Sequence, residues 1–205
     1  MLTRRDALLA LLLLPACKRR PWPGSGDAGS TAIADSAAAL VDAGIADGSA
    51  GFGAMYRSPS GGFQIRFPEG KAPEVEEKTI AGGSSAVRLF KVQFGTSGYL
   101  VVYDDYAKGS ARAPQQILDG ARDGVLETTA GTLDSERPLT LDGHPGLDLA
   151  VTATTSGITM RQRVRVFLVD GRLYQLIVVA PSWSGATVVE QQFFDSFNLL
   201  GDGGP

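Results

Sequence analysis

From Met55 onward the chain sets short apolar runs between turn residues, and the spacing of its apolar positions shifts along the way. Phe63-Gln64-Ile65-Arg66-Phe67 alternates with period two and stops at Pro68, which predicts a half-buried strand. Val87 to Phe94 and Tyr99 to Tyr106 are two more β-rich runs, and the Gly95-to-Gly98 turn between them predicts a hairpin. The period then becomes helical. Pro114 suits a first helical position, and Ile117, Leu118, Ala121 and Val125 mark one face. Gly120 and Gly124 lie four apart within this helix and are expected to let its backbone pack closely on a sheet.

A second block of strands follows. Thr132 to Leu141 leads through a turn at Asp142-Gly143-His144-Pro145-Gly146 into Leu147 to Thr154. Ser156-Gly157 then turns into Ile158 to Val169, and Asp170-Gly171 into Leu173 to Ala180. A two-residue loop at Ser156-Gly157 puts Thr155 opposite Ile158. In that register Asp148 faces Arg165, Ala150 faces Arg163 and Thr152 faces Arg161, while Leu147 meets Val166 and Leu149 meets Val164. Each face sorts by polarity, which supports the register. Leu173 to Ala180 is apolar on both faces and reads as a central, doubly covered strand. A last helix, capped by Ser182 or Ser184, shows an apolar stripe of Ala186, Val189, Phe193 and Phe197 and ends near Asn198. The fold class is therefore α+β: an antiparallel sheet of six or seven strands, covered by a middle helix and a C-terminal helix.

The order of four motifs resembles the PsbP-like superfamily. They are Phe63-Gln64-Ile65-Arg66-Phe67-Pro68, Leu141-Asp142-Gly143-His144-Pro145-Gly146, Leu168-Val169-Asp170-Gly171-Arg172-Leu173-Tyr174 and Phe193-Phe194-Asp195-Ser196-Phe197. The likeness spans residues 55 to 200. It implies a PsbP-like sandwich and a role in binding or assembly rather than catalysis. It carries no functional residue over to this chain.

The N-terminal pattern is different. Arg4 and Arg5 precede an apolar run from Ala7 to Leu14, too short to span a bilayer. Leu14-Pro15-Ala16-Cys17 follows and resembles a bacterial lipoprotein signal, with Pro15 its least typical residue. The resemblance implies cleavage before Cys17, the sole cysteine, and its lipidation. Several acyl chains would then hold the protein stably on a membrane. Lys18 in place of an aspartate implies, by the same resemblance, the outer membrane rather than the inner. Thr3-Arg4-Arg5-Asp6-Ala7-Leu8 also resembles a degenerate twin-arginine export motif, with Ala7 where a Phe is commoner, so either export route stays open. From Pro21 to Gly53 the chain is mainly Gly, Ala, Ser and Asp and cannot bury enough apolar surface to offset ordering. As a coil it would reach roughly 30–35 Å from the membrane. The expected organisation is a signal over 1–16, a lipidated cysteine and tether over 17–53, an α+β domain over 54–200, and a tail over 201–205.

A formal charge of −3 argues against a nucleic-acid binder. With Cys17 lipidated, no thiol is left for a disulfide or a thiolate metal site, and His144 as sole histidine removes the usual zinc sets. No cofactor is expected beyond the covalent lipid. His144 reads as a turn residue; a hydrolase acting through it is the weakest of three functional alternatives, since no Gly-x-Ser-x-Gly elbow exists. Asp104 and Asp105 point to opposite sides of a strand and read as a strand-end turn. Trp183, Tyr174, Phe193 and Phe194 are expected in the core. The unusual surface feature is Arg161, Arg163 and Arg165 on alternate positions of one strand. Their stems could cover the sheet or lie against a helix. As a functional patch they would bind an anion: a lipid headgroup, an envelope polymer or an acidic partner protein. The leading function is thus a non-enzymatic envelope binding or assembly module, and the second is a small-ligand carrier with a pocket between sheet and helix.

Overall fold

A computed structural model describes residues 52–68, 72–79, 86–106, 112–155, 157–184 and 187–201. Cys17 and the expected signal and tether up to residue 51 lie outside the described residues, as does Ala186. In chain order the elements are β1 (Phe52–Ser58), β2 (Phe63–Pro68), β3 (Glu74–Thr79), β4 (Ala86–Phe94), β5 (Ser97–Asp105), α1 (Pro114–Thr129), β6 (Thr132–Leu141), β7 (His144–Thr155), β8 (Ile158–Val169), β9 (Arg172–Pro181), a 3-10 turn (Ser182–Ser184), α2 (Val188–Asp195) and β10 (Asn198–Leu199).

Seven strands form one antiparallel sheet in the order β3-β4-β5-β9-β8-β7-β6. The chain lays down a three-strand meander and crosses through α1 to the far edge. It then returns by three hairpins until β9 closes against β5. Two of those hairpins turn on Asp142-Gly143 and Asp170-Gly171, where both residues of each pair have positive φ. This is the type I′ geometry that the right-handed strand twist favours. The β7–β8 register is the one derived from polarity, with Asp148 opposite Arg165, Ala150 opposite Arg163 and Thr152 opposite Arg161. β9 lies at the centre and is covered on both faces, as its doubly apolar sequence required.

Alternate positions of the sheet feed two separate cores. On one face Leu149, Val151, Val164, Val166, Leu168 and Leu173 pack against Ile117, Leu118, Ala121 and Val125 of α1. On the other, Phe90, Tyr99, Tyr103, Phe167, Tyr174 and Leu176 meet Phe63, Ile65 and Phe67 of β2 and Phe193, Phe194 and Phe197 from the C-terminal segment. β2 pairs with β1 and β10 in a small three-stranded sheet, so this face is covered by a sheet as well as by α2. The Tyr174 hydroxyl donates to the Gly61 carbonyl at 2.6 Å and Arg172 Nη1 to that of Ser60 at 3.0 Å, locking the β1–β2 turn onto β9.

Local expectations need correcting in four places. Gly120 faces open space rather than a sheet, because the apolar stripe of α1 turns the other side inward. The turn expected over Asp142 to Gly146 is only Asp142-Gly143; His144, Pro145 and Gly146 already belong to β7, paired with Leu141, Thr140 and Leu139. The last helix is capped by Thr187, whose hydroxyl accepts from Glu190 N at 3.2 Å, while Ser182 and Ser184 form the preceding 3-10 turn. It stops at Asp195, since Asn198-Leu199 is drawn off to pair with Gln64 and Phe63 of β2. Trp183 is exposed, projecting from that 3-10 turn instead of joining the core.

Candidate functional site

Strand alternation brings Arg161, Arg163 and Arg165 to the face of β8 that α2 covers, in line with buried Phe167. They meet three carboxylates there. Arg161 forms a two-pronged pair with Glu190, through Nη1 to Oε2 at 2.8 Å and through Nη2 to Oε1. Glu190 is buried, and Arg161 holds both of its carboxylate oxygens. Arg163 grips Asp148 through Nε to Oδ1 at 3.1 Å and Nη2 to Oδ2 at 2.8 Å, and its Nη1 donates to Gln191 Oε1 at 3.2 Å. Arg165 Nη1 reaches Asp195 Oδ1 at 3.2 Å. The guanidinium carbons of Arg163 and Arg165 stand 5.3 and 4.9 Å from the centre of the Phe194 ring. Cations over an aromatic face gain from its quadrupole.

Asp148 is the hub. Arg137 on β6 donates Nη2 to its Oδ2 at 3.1 Å, and Arg165 Nε stands 3.9 Å from the same oxygen. Burial, the largest single influence, pushes the Asp148 carboxyl up, but the hydrogen bonds and charge of Arg163, with Arg165 and Arg137, outweigh it and hold the group below its ordinary value. The same hydrogen bond from Arg163 raises that guanidinium further above its usual range. The three arginines are therefore part of an ionic ladder between β7, β8 and α2.

One end of that ladder opens into a cleft of about 470 Å³ between the second half of β6 and the C-terminal end of α2. Arg137, Asp148, Arg163, Arg165 and Asp195 supply its charged lining. Its apolar lining comes from Leu139, Leu141, Phe167, Phe194 and Phe197. Gly146 sits between Leu139 and Phe167 in the sheet, and a Cβ there would stand 2.3 Å from the Val166 carbonyl oxygen and 2.8 Å from Phe167 Cδ1. Only glycine lets the two apolar side chains close over that point.

The other sequence candidates lie elsewhere. His144 opens β7 opposite Leu141 and has no side-chain hydrogen bond among the described residues. Asp104 and Asp105 end β5 on opposite faces, the first buried and the second paired with Arg172 Nη2 at 2.9 Å. Among the described residues no three His, Cys, Asp or Glu side chains are grouped to hold a metal, and no helix is long and apolar enough to cross a membrane. The acids facing the arginines from α2 escaped the sequence reading. A signal was present: Thr187-Val188-Val189-Glu190 has the Thr-x-x-Glu spacing of a capping box, which starts the helix at Thr187 and brings Glu190 to the first turn.

The solution structure of cyanobacterial PsbP from Synechocystis sp. PCC 6803 superposes with a TM-score of 0.52 at 13% identity, over 77% of this chain and 98% of that one. The fold is a PsbP-like sandwich. A Bacteroides thetaiotaomicron protein and a Pseudomonas aeruginosa protein of unknown function also overlap, with TM-scores of 0.45 and 0.36 at 12% and 14% identity. They cover 74% and 63% of this chain and 50% and 83% of their own lengths, respectively. No protein-family model and no curated protein matches the sequence.

Proposed function

We propose that this chain is a membrane-anchored lipoprotein of the cell envelope whose folded part is a non-enzymatic binding module, with the cleft beside α2 as its binding site. The observation that carries this reading is the cleft itself: a concave site that joins arginine donors to an aromatic and aliphatic wall, at the end of the ionic ladder under α2. The PsbP-like sandwich agrees with a binding role by analogy of fold alone. The lipid on Cys17 holds the chain to the membrane, with the outer membrane preferred, and the segment after it gives the domain reach.

Two measurements test the two halves. Metabolic labelling with a palmitate analogue is expected to mark the wild type and not Cys17→Ser; an unlabelled wild type removes the anchor. A photo-crosslinking residue at Thr140, exposed on the cleft wall, is expected to capture an envelope component that the same residue at exposed Gln115 on α1 does not. Equal capture at both positions, or none, removes the cleft as the binding site. The size of the cleft also favours the second reading, a small-ligand carrier. In that case the adduct at Thr140 is a small molecule rather than a protein.

A further inference from the structure

The ladder leaves donors over at the cleft, and the leftover fits one kind of ligand. Three guanidinium groups and two carboxylates line the cleft, so its lining carries one net positive charge. The two-pronged grip of Arg163 uses both oxygens of Asp148, and Arg137 takes a second place on Oδ2. Arg165 Nε, buried and 3.9 Å from that crowded oxygen, has no hydrogen-bond partner among the described residues. A buried N–H without a partner is a costly exception in a folded protein and is satisfied by any acceptor that reaches it. Arg137, at the rim, spends only Nη2 on Asp148, and its side chain is 69% exposed. The cleft thus has Arg137 with open donors at its rim and, behind its lining, Arg165 with an unsatisfied buried Nε–H. Its other side is apolar: Phe167 and Phe197 lie parallel with centroids 6.1 Å apart, and Leu139 and Leu141 flank them.

We infer that the cleft binds a small amphiphilic monocarboxylate, its carboxylate held by Arg137 and Arg165 and its hydrocarbon body laid on Phe167, Phe197, Leu139 and Leu141. This rests on the cleft being the binding site proposed above. The planar fork of arginine matches a carboxylate, and one net charge is neutralised by a monoanion, whereas a phosphate monoester near pH 7 brings nearly two. The arginines supply the charge-assisted contact, and the apolar side of the cleft, with Leu139 and Leu141 only half-buried, receives the hydrocarbon. Asp148 and Asp195 exclude acids that carry several charges, since each further anionic group would have to sit beside one of them.

The test is calorimetric titration of the purified full-length chain with decanoate, decanol and decyl phosphate. Decanoate is expected to bind at least about tenfold more tightly than either of the others, a difference one charge-assisted hydrogen bond can supply. Arg137→Gln, at an exposed position, is expected to cost about tenfold in decanoate affinity and to leave decanol unchanged. Arg165→Gln is expected to do the same, with its melting temperature measured alongside; Arg122→Gln, on α1 at the other face, is the control. Equal binding of decanoate and decanol, tighter binding of decyl phosphate, or decanoate affinity untouched by Arg137→Gln would each overturn the inference. Crosslinking from Thr140 separates this from the wider reading. A captured envelope component with no decanoate binding discards the carboxylate and keeps the cleft. Decanoate binding that ignores both arginine variants places the acid elsewhere and discards the inference.

Discussion

The two faces of the seven-stranded sheet solve the same problem with different materials. Under α1 the core is aliphatic, with the Arg122–Glu136 pair beside it: Leu149 and Val164 are wholly inaccessible and meet Leu118 and Ala121. Under α2 the same strands present Arg161, Arg163 and Arg165, and the helix answers with Glu190, Gln191, Phe194 and Asp195. Aliphatic packing is favourable wherever surface leaves water and needs no exact partner. An ionic ladder is favourable only if every charge finds its mate, and replacing such a ladder by apolar residues is often neutral or stabilising. The α1 face is thus explained by folding alone. The α2 face spends stability on charge and keeps a cleft with unused donors, which is why the functional proposals rest there.

The sharpest way to break this contrast is to damage the aliphatic side. Leu149→Ala removes a fully buried side chain from the centre of that core and is expected to cost about 3–4 kcal/mol in urea unfolding. The ladder offers the matching test. Glu190→Ala leaves Arg161 without its two-pronged partner and is expected to cost about 3 kcal/mol, at the low end for a buried pair because the Arg161 side chain keeps 20% exposure. A smaller loss at Leu149 than at Glu190 would reverse the assignment of which face holds the fold.

Most of the aliphatic face could be read from the sequence, and most of the ladder could not. Ile117, Leu118, Ala121 and Val125 repeat at helical spacing, and Leu147, Leu149, Val164 and Val166 sort to one side of a hairpin whose loop length fixes its register. Both signals are periodic and local. The arginine stripe and its pairing with Asp148 were local too, lying on one hairpin. Glu190, Gln191 and Asp195 were not, because their place opposite the stripe depends on where α2 lands, about 30 residues later in the chain. Trp183 misled for a related reason. Its size suggests burial, but a 3-10 turn between β9 and α2 leaves it outside. The cleft arises where β6, β7, β8 and α2 come together, and no single stretch of sequence carries that information.

Gly146→Ala probes the seam between ladder and aromatic floor. The added methyl meets the Val166 carbonyl oxygen of β8, a backbone atom that cannot turn aside, so β7 and β8 must part. A loss of about 1–2 kcal/mol is expected, with altered near-ultraviolet signal from Phe167 and its neighbours. A neutral result would mean that this part of the sheet is looser than its contacts suggest.

The hub carboxylate makes the ladder sensitive to pH. Asp148 is held below its ordinary value of 3.8, so it stabilises the fold fully at neutral pH, and that contribution is lost as pH falls through its lowered value. The unfolded chain binds the proton more readily in this range, which sets the sign. Asp148→Asn is expected to be less stable than wild type by about 1 kcal/mol at pH 7, with the gap closing towards pH 2. A gap that stays constant in urea midpoints over that range would detach the acid sensitivity of the fold from Asp148.

The smallest effect separates rim from ladder within the charged face itself. Arg137 reaches Asp148 at 3.1 Å, about as close as Arg163, yet it stands on the edge strand with most of its side chain in water. An exposed ion pair loses most of its attraction to solvent screening and side-chain entropy. Arg137→Gln is therefore expected to shift stability by no more than about 0.5 kcal/mol, within what surface substitutions ordinarily do. If it instead costs as much as Glu190→Ala, Arg137 is a working member of the ladder. Its donors are then committed to holding Asp148, and the rim has none to offer a ligand. A near-neutral thermal midpoint in Arg137→Gln together with intact acid unfolding leaves the guanidinium free for binding, which is the condition the carboxylate proposal requires.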